Sequence, residues 1–254
     1  KGVVELAIHP GGGWLVTGSR QGSEKEGDVS ALELWRGPDW KPLGVMYGTP
    51  RGLASLEFST NGKVMAGAFA SPVYELNSVE LWSTRTWVIT GTVEMGPALD
   101  LAFSPAADVL AISPDRYALK VRNLSNDKWL FTFHTSFTGA VNRLAFSPDG
   151  MTLASGHFDG AIRFWDMRSG ALLFTIQTEE LIESLAFSPD GRMLATGGSY
   201  ANHFVRLWDA QSGALLRTLE GHASGVSHVL FSPDSQFLIS ASYDGMLRLW
   251  GIRP

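Results

Sequence analysis

The chain of 254 residues contains no cysteine. That absence removes disulfides, thiolate metal sites and cysteine nucleophiles together. Charge is scarce as well: Asp, Glu, Lys and Arg make up 18% of the residues, below the usual quarter, as expected of strands covered on both faces. The charge that is present sums to −5, which speaks against a broad basic surface for nucleic acid. No apolar run approaches eighteen residues, so no segment reads as a membrane-spanning helix. The six histidines, at 9, 134, 157, 203, 222 and 228, never fall at H-x-x-x-H or H-E-x-x-H spacing. Metals therefore lack a ligand motif, with the pair His157 and Asp159 on one turn as the nearest approach. Gly11-Gly12-Gly13 is followed by no Lys-Ser/Thr and no helix, so a phosphate loop is unsupported and no cofactor is expected. The first residue is Lys rather than Met, which leaves the compartment open, with a soluble cytoplasmic chain as the working expectation.

What the chain has is turns. Residues 140–166, AVNRLAFSPDGMTLASGHFDGAIRFWD, hold three short apolar runs separated by Ser147-Pro148-Asp149-Gly150 and Phe158-Asp159-Gly160. Pro148 pre-sets φ for a type I turn and Gly150 can take the left-handed position. Apolar and β-branched runs of four to six residues between such turns predict strands. Three strands could not stand alone, but the unit recurs. The end of its first strand returns as Ile8, Phe58, Phe103, Phe146, Phe187 and Phe231, at intervals of 41 to 50 residues. The end of its third strand returns as Trp35, Trp82, Trp165, Trp208 and Trp250, with Arg122 where the third unit should have its Trp. The units run approximately 1–51, 52–96, 97–138, 139–180, 181–223 and 224–254. A further apolar run follows each third strand except the last, which predicts twenty-three strands in one domain.

Phrases such as LAFSPDGMTLASGHFDGAIRFWD and LEGHASGVSHVLFSPDSQFLISASYDGMLRLW resemble WD-repeat β-propeller units, strongly over 139–254 and more weakly over 1–138. The resemblance implies an all-β propeller of four-stranded antiparallel blades, six visible here, the last lacking its outer strand. In related propellers an N-terminal strand completes the final blade. The expectation is therefore that such a strand lies outside this sequence, or that a partner donates it.

The resemblance also implies a buried hydrogen-bonded set of His, Ser/Thr, Asp and Trp. Only the sixth unit carries all four, as His222, Ser240, Asp244 and Trp250. The fourth has Ser155, Asp159 and Trp165 but Phe137 at the His position, while the fifth keeps Thr196 and Trp208 and the first Thr17 and Trp35. A Ser-His-Asp catalytic reading of the sixth unit is disfavoured, because no G-x-S-x-G elbow surrounds Ser240.

One pattern exceeds scaffold. The loops joining second and third strands carry Tyr74, Tyr117, Phe158, Tyr200 and Tyr243. Repeat geometry places such loops on one face, shared with Arg20, Arg51 and Met95. Tyrosine offers contact area and a hydrogen bond at modest entropy cost. These residues predict a face that binds a protein or peptide, in a non-catalytic scaffold with a possible seat in a larger complex. A structural subunit closed by strand donation and an axial-pocket enzyme or ligand binder are the alternatives.

Overall fold

The computed structural model describes residues 2–21, 29–47, 52–70, 77–95, 98–114, 118–134 and 139–252. Its strands are β1 (Gly2–Ile8), β2 (Trp14–Gln21), β3 (Val29–Arg36), β4 (Lys41–Tyr47), β5 (Gly52–Phe58), β6 (Val64–Ala70), β7 (Asn77–Ser83) and β8 (Ile89–Met95). Next come β9 (Leu101–Phe103), β10 (Val109–Ile112), β11 (Ala118–Asn123), β12 (Lys128–His134), β13 (Val141–Phe146), β14 (Thr152–His157), β15 (Ala161–Asp166) and β16 (Leu172–Gln177). The chain finishes with β17 (Ile182–Phe187), β18 (Met193–Gly198), β19 (Val205–Asp209), β20 (Leu215–Leu219), β21 (Val226–Phe231), β22 (Phe237–Ser242) and β23 (Leu247–Gly251). These form six antiparallel sheets with strands in chain order, five of four strands and a last of three, the blade architecture of a propeller.

The chain divides into two compact units. One comprises Lys1–Ser104, Asp108–Asp115 and Leu119–Leu130; the other comprises Pro105–Ala107, Arg116–Ala118 and Phe131–Pro254. Within the first, the first strands β1, β5 and β9 neighbour one another in succession; within the second, β13, β17 and β21 do the same. Apolar cores fill the space between successive sheets. Val16, Leu32, Leu53, Met65 and Phe69 form one in the first unit, and Ile162, Phe164, Ile182 and Leu194 form one in the second. Alternate positions of each strand point into these cores because the side-chain period is two.

Small residues on the second strands set how closely the sheets approach. A Cβ on Gly156 would lie 2.6 Å from Ile182 Cγ2, and one on Gly197 would lie 2.7 Å from both Cγ1 and the carbonyl oxygen of Val226. The first hairpins close as their sequence predicts. Ser147 Oγ donates to Asp149 Oδ1 at 2.6 Å, the Met151 N–H donates to the same oxygen at 2.9 Å, and Gly150 takes φ 68°. Ser188-Asp190 and Ser232-Asp234 repeat the arrangement.

The degraded third unit has its own solution. Arg122, standing where the other units place Trp, lies 5.1 Å over the ring of Trp129 from β12 and pairs with Asp127. An indole is thus supplied by the fourth strand where the third lacks one.

The sixth sheet carries apolar side chains that the second unit leaves uncovered. Leu249 is 65% exposed, whereas Leu207, its counterpart in the fifth sheet, is 2% exposed against the sixth. Leu230, Ile239 and Leu247 are exposed beside it.

Candidate binding face on the second unit

Each first strand of the second unit breaks the apolar alternation with two consecutive polar residues: Asn142-Arg143, Glu183-Ser184 and Ser227-His228. Strict alternation cannot place both, and the register slips at that point in β13, β17 and β21. The extra residue of such a bulge re-aims the side chains around it. Asn142 is buried and its Nδ2 donates to the Ile182 carbonyl at 2.8 Å. Arg143 Nη1 donates in turn to the Asn142 carbonyl at 2.8 Å and to its Oδ1 at 3.3 Å.

The connections from second to third strand carry the aromatics. Tyr200, between β18 and β19, and Tyr243, between β22 and β23, stack with centroids 4.9 Å apart and planes 13° from parallel. They are 64% and 53% exposed. Gly225 makes the pairing possible, since a Cβ there would come within 3.0 Å of the Tyr200 nitrogen and 3.4 Å of Tyr243 Cδ2. The Tyr243 N–H also donates to the Gly225 carbonyl at 3.0 Å. Phe158 is exposed on the equivalent turn of the fourth sheet, outside this stack.

Electrostatics link the tyrosines to the first strands. Burial, then the Glu183 carboxylate and Tyr200, push the Tyr243 hydroxyl above its usual range, while Arg143 acts the other way. The hydroxyl therefore stays protonated and can donate. Partial desolvation, then the Arg143 charge, lowers His228 from the usual imidazole range, although its side chain is exposed. Arg143, Glu183 and His228 were not singled out by sequence reasoning; the doubled polar residue in each first strand was the available signal.

The aromatic set is otherwise distributed as follows. Tyr74, Tyr117 and Arg51 lie outside the described residues, as does Phe137. Arg20 and Met95 belong to β2 and β8, with side chains outside the described set.

Beneath the face lies the polar set. In the sixth sheet His222 Nδ1 donates to Asp244 Oδ2 at 3.0 Å, Ser240 Oγ donates to His222 Nε2 at 2.7 Å, and Trp250 Nε1 donates to Ser240 Oγ at 2.8 Å. The Ala223 N–H, first, and other hydrogen bonds hold the Asp244 carboxyl well below the carboxylate range. Ser240 is fully buried and its oxygen is already engaged, so this trio has no route to a substrate carbonyl.

The fourth sheet departs from expectation. Its imidazole comes from His157 at the end of β14. His157 is fully buried, its Nδ1 donates to the Gly139 carbonyl at 2.5 Å, and Ser155 Oγ donates to its Nε2 at 2.8 Å. Trp165 Nε1 donates to Ser155 Oγ at 2.9 Å. Asp159 turns instead to the Ala161 N–H and to Arg163. The suggestion of His157 and Asp159 as paired metal ligands fails, because both ring nitrogens are spent. Trp208 to Thr196 and Trp35 to Thr17, each at 2.9 Å, repeat the Trp-hydroxyl bond.

A groove of about 530 Å³ is lined by the apolar Met193, Leu207, Leu216 and Ile252 and by charged residues that include Asp190, Arg192, Arg217 and Asp234. The carboxylates of Asp190 and Asp234 are already bonded to their own turns.

Comparison with known proteins matches this architecture. The family model described as WD domain, G-beta repeat fits residues 170–209 and 213–251, and that of the anaphase-promoting complex subunit 4 WD40 domain fits 101–182. The chain is similar to Autophagy-related protein 16 of Arabidopsis thaliana, 25% identical over 89% of this chain and 44% of that protein. It is similar to Periodic tryptophan protein 2 of the same plant, 30% identical over 67% of this chain and 19% of that protein. It also resembles the Anaphase-promoting complex subunit cdc20 of Dictyostelium discoideum, 30% identical over 51% of this chain and 26% of that protein. The matched region spans less than half the length of each of these relatives. With six in-phase repeats, blade-type sheets and these matches, the chain belongs to the WD-repeat β-propeller family.

Proposed function

We propose that the chain is a non-catalytic interaction scaffold that holds a protein or peptide partner on the turn face of its second unit, anchored by Tyr200 and Tyr243. The observation that carries this reading is the stack itself: two large aromatic rings fixed in one orientation and more than half exposed. A rigid, exposed aromatic pair loses little entropy on binding. Phe158, exposed on the equivalent turn of the fourth sheet, extends the proposed face, and Tyr74, Tyr117, Arg20, Arg51 and Met95 are proposed as partner contacts from the sequence pattern alone. Relatives support a seat in an assembly, since one is by name a subunit of the anaphase-promoting complex. The test is quantitative affinity capture from an extract of the source cells, with the parent and with Tyr200→Ala/Tyr243→Ala. Loss of the captured proteins by the double variant, at an unchanged melting temperature, is the expected result. An unaltered set of captured proteins overturns the reading.

A second reading rests on the sixth sheet, whose strand β23 pairs only with β22 among the described residues. In it, a neighbouring chain completes the sheet by strand addition. A synthetic peptide copying residues 171–177 should then slow amide exchange along β23, and no slowing removes this reading.

A further inference from the structure

We propose that the hairpin ends of the fourth, fifth and sixth sheets form a second docking surface, for a peptide segment of a protein partner that seats a Lys or Arg in one groove and an aliphatic side chain in the next. The surface lies at the strand ends opposite those that carry Tyr200 and Tyr243, so it goes beyond the face proposed above and does not rest on it. Three hairpins build it, at residues 147–150, 188–191 and 232–235. The middle one touches both neighbours. A Cβ on Gly191 would lie 3.6 Å from Pro148 Cδ, and the Asp190 N–H donates to Ser235 Oγ at 3.3 Å. The grooves on its two sides are therefore held in a fixed relation.

The smaller groove, about 320 Å³, lies between the fourth and fifth sheets, with Ser147, Asp149, Thr152, Phe187, Asp190 and Gln211 in its lining. Asp149 and Asp190 are the charged members of that lining among the described residues. Asp149 receives its hydrogen bonds from Ser147 Oγ and the Met151 N–H on Oδ1, and Asp190 receives those of Ser188 Oγ and the Arg192 N–H on Oδ1 as well. Oδ2 of each is left without a donor among the described residues. The serine bonds, first, hold both carboxyls below the usual carboxylate range, so both are charged at neutral pH. Arg168 and Arg192, whose charges reach these carboxylates, are exposed and lie outside the described lining of this groove. A Lys or Arg entering there completes charge-assisted hydrogen bonds. The larger groove, about 530 Å³ between the fifth and sixth sheets, selects differently. Arg192 and Arg217 stand there with Asp190, Asp209 and Asp234, so a charge of either sign meets its like. Its apolar lining of Met193, Leu207, Leu216 and Ile252 instead rewards a buried aliphatic group. Both volumes fall in the range of about 300–1,000 Å³ usual for binding clefts. Because the two grooves share Asp190, one short segment spans them.

The experiment is selection of a random decapeptide library, displayed on phage, against the folded protein, followed by fluorescence anisotropy with a synthetic winner. Enriched peptides are expected to share a basic and an aliphatic position at fixed spacing. Asp149→Asn/Asp190→Asn removes the charge but keeps the hairpin acceptor. Asn61 plays that part in the second sheet, where its Oδ1 accepts the Ser59 hydroxyl and the Lys63 N–H. The double variant should stay folded, with its melting temperature as the check, and bind the winner about tenfold or more weakly. A winner with Gln in place of its basic residue should bind parent and variant nearly alike. Leu216→Glu, at an exposed position, should remove the aliphatic preference alone. Winners without a basic position, or a basic preference that survives the double Asn variant, overturn the inference. So does a concentration-dependent dimer in sedimentation that the double Asn variant dissolves, since a second copy then fills the grooves. Winners lost only with Tyr200→Ala/Tyr243→Ala overturn this surface and leave the tyrosine face standing. Enrichment that survives that pair and fails with the double Asn variant supports this surface, whatever becomes of the other.

Discussion

The imidazole of His157 accepts the Ser155 hydroxyl at Nε2 and gives its Nδ1 proton to the carbonyl of Gly139. One buried ring thereby ties the second strand of the fourth sheet to the segment that enters it. The same tautomer serves His222 in the sixth sheet, where the anchor is Asp244 instead of a backbone carbonyl.

This makes stability depend on pH. Burial, the largest cause, depresses His157 from 6.5 to about 4. Above pH 6.5 the ring is neutral folded or unfolded. Between pH 6.5 and 4 the unfolded chain takes up a proton that the folded one refuses, so stability is lost as pH falls through that window, by on the order of 2–3 kcal/mol. His157→Gln should flatten the melting temperature across pH 4–6.5 relative to the parent; an unchanged slope would show that other groups set it.

Glu57 in β5 carries the opposite dependence. Burial raises it from 4.5 to about 8, with Asp100 adding to the effect and the Phe103 N–H opposing it. The unfolded carboxyl ionises above pH 4.5 while the folded one stays protonated, so stability drains away up to pH 8. Glu57→Gln keeps an acceptor for Phe103. It should be more stable than the parent by on the order of 4 kcal/mol at pH 8, with no difference near pH 4. Chemical denaturation at the two pH values checks this.

Gly197 is where packing is least forgiving. Because an added Cβ would meet the Val226 backbone as well as its side chain, relief requires moving the sheets apart. Gly197→Ala is expected to cost roughly 1–3 kcal/mol. Gly44, around which nothing lies within 4 Å, is the control, and its Ala variant should melt like the parent.

The exposed leucines Leu247 and Leu249 of the sixth sheet should promote association. Exposed contiguous apolar surface on a sheet drives association. Leu247→Lys/Leu249→Lys should lower concentration-dependent light scattering while shifting stability by no more than about 0.5 kcal/mol. Equal scattering by parent and variant would locate the association elsewhere.

The number and order of the strands were legible in the sequence because each repeat encloses its own turn chemistry. A Ser-Pro-Asp-Gly hairpin is a local object, and so is an apolar run that ends on Trp. Repetition multiplied that local signal, and the twenty-three strands followed. The Trp-to-hydroxyl bonds in the first, fourth, fifth and sixth sheets were expected from the resemblance to WD-repeat units. What could not be read were partnerships between residues with no fixed offset. The fourth sheet draws its imidazole from the strand end rather than the preceding loop, since burial asks only that Ser155 and Trp165 find a partner, not where in the chain it lies. Arg143 gained its place from a bulge, and its relation to Tyr243 arises between different sheets, a hundred residues apart. The sequence determined which aromatics sit on turns; only tertiary packing, through the gap that Gly225 leaves, decided that Tyr200 and Tyr243 would meet.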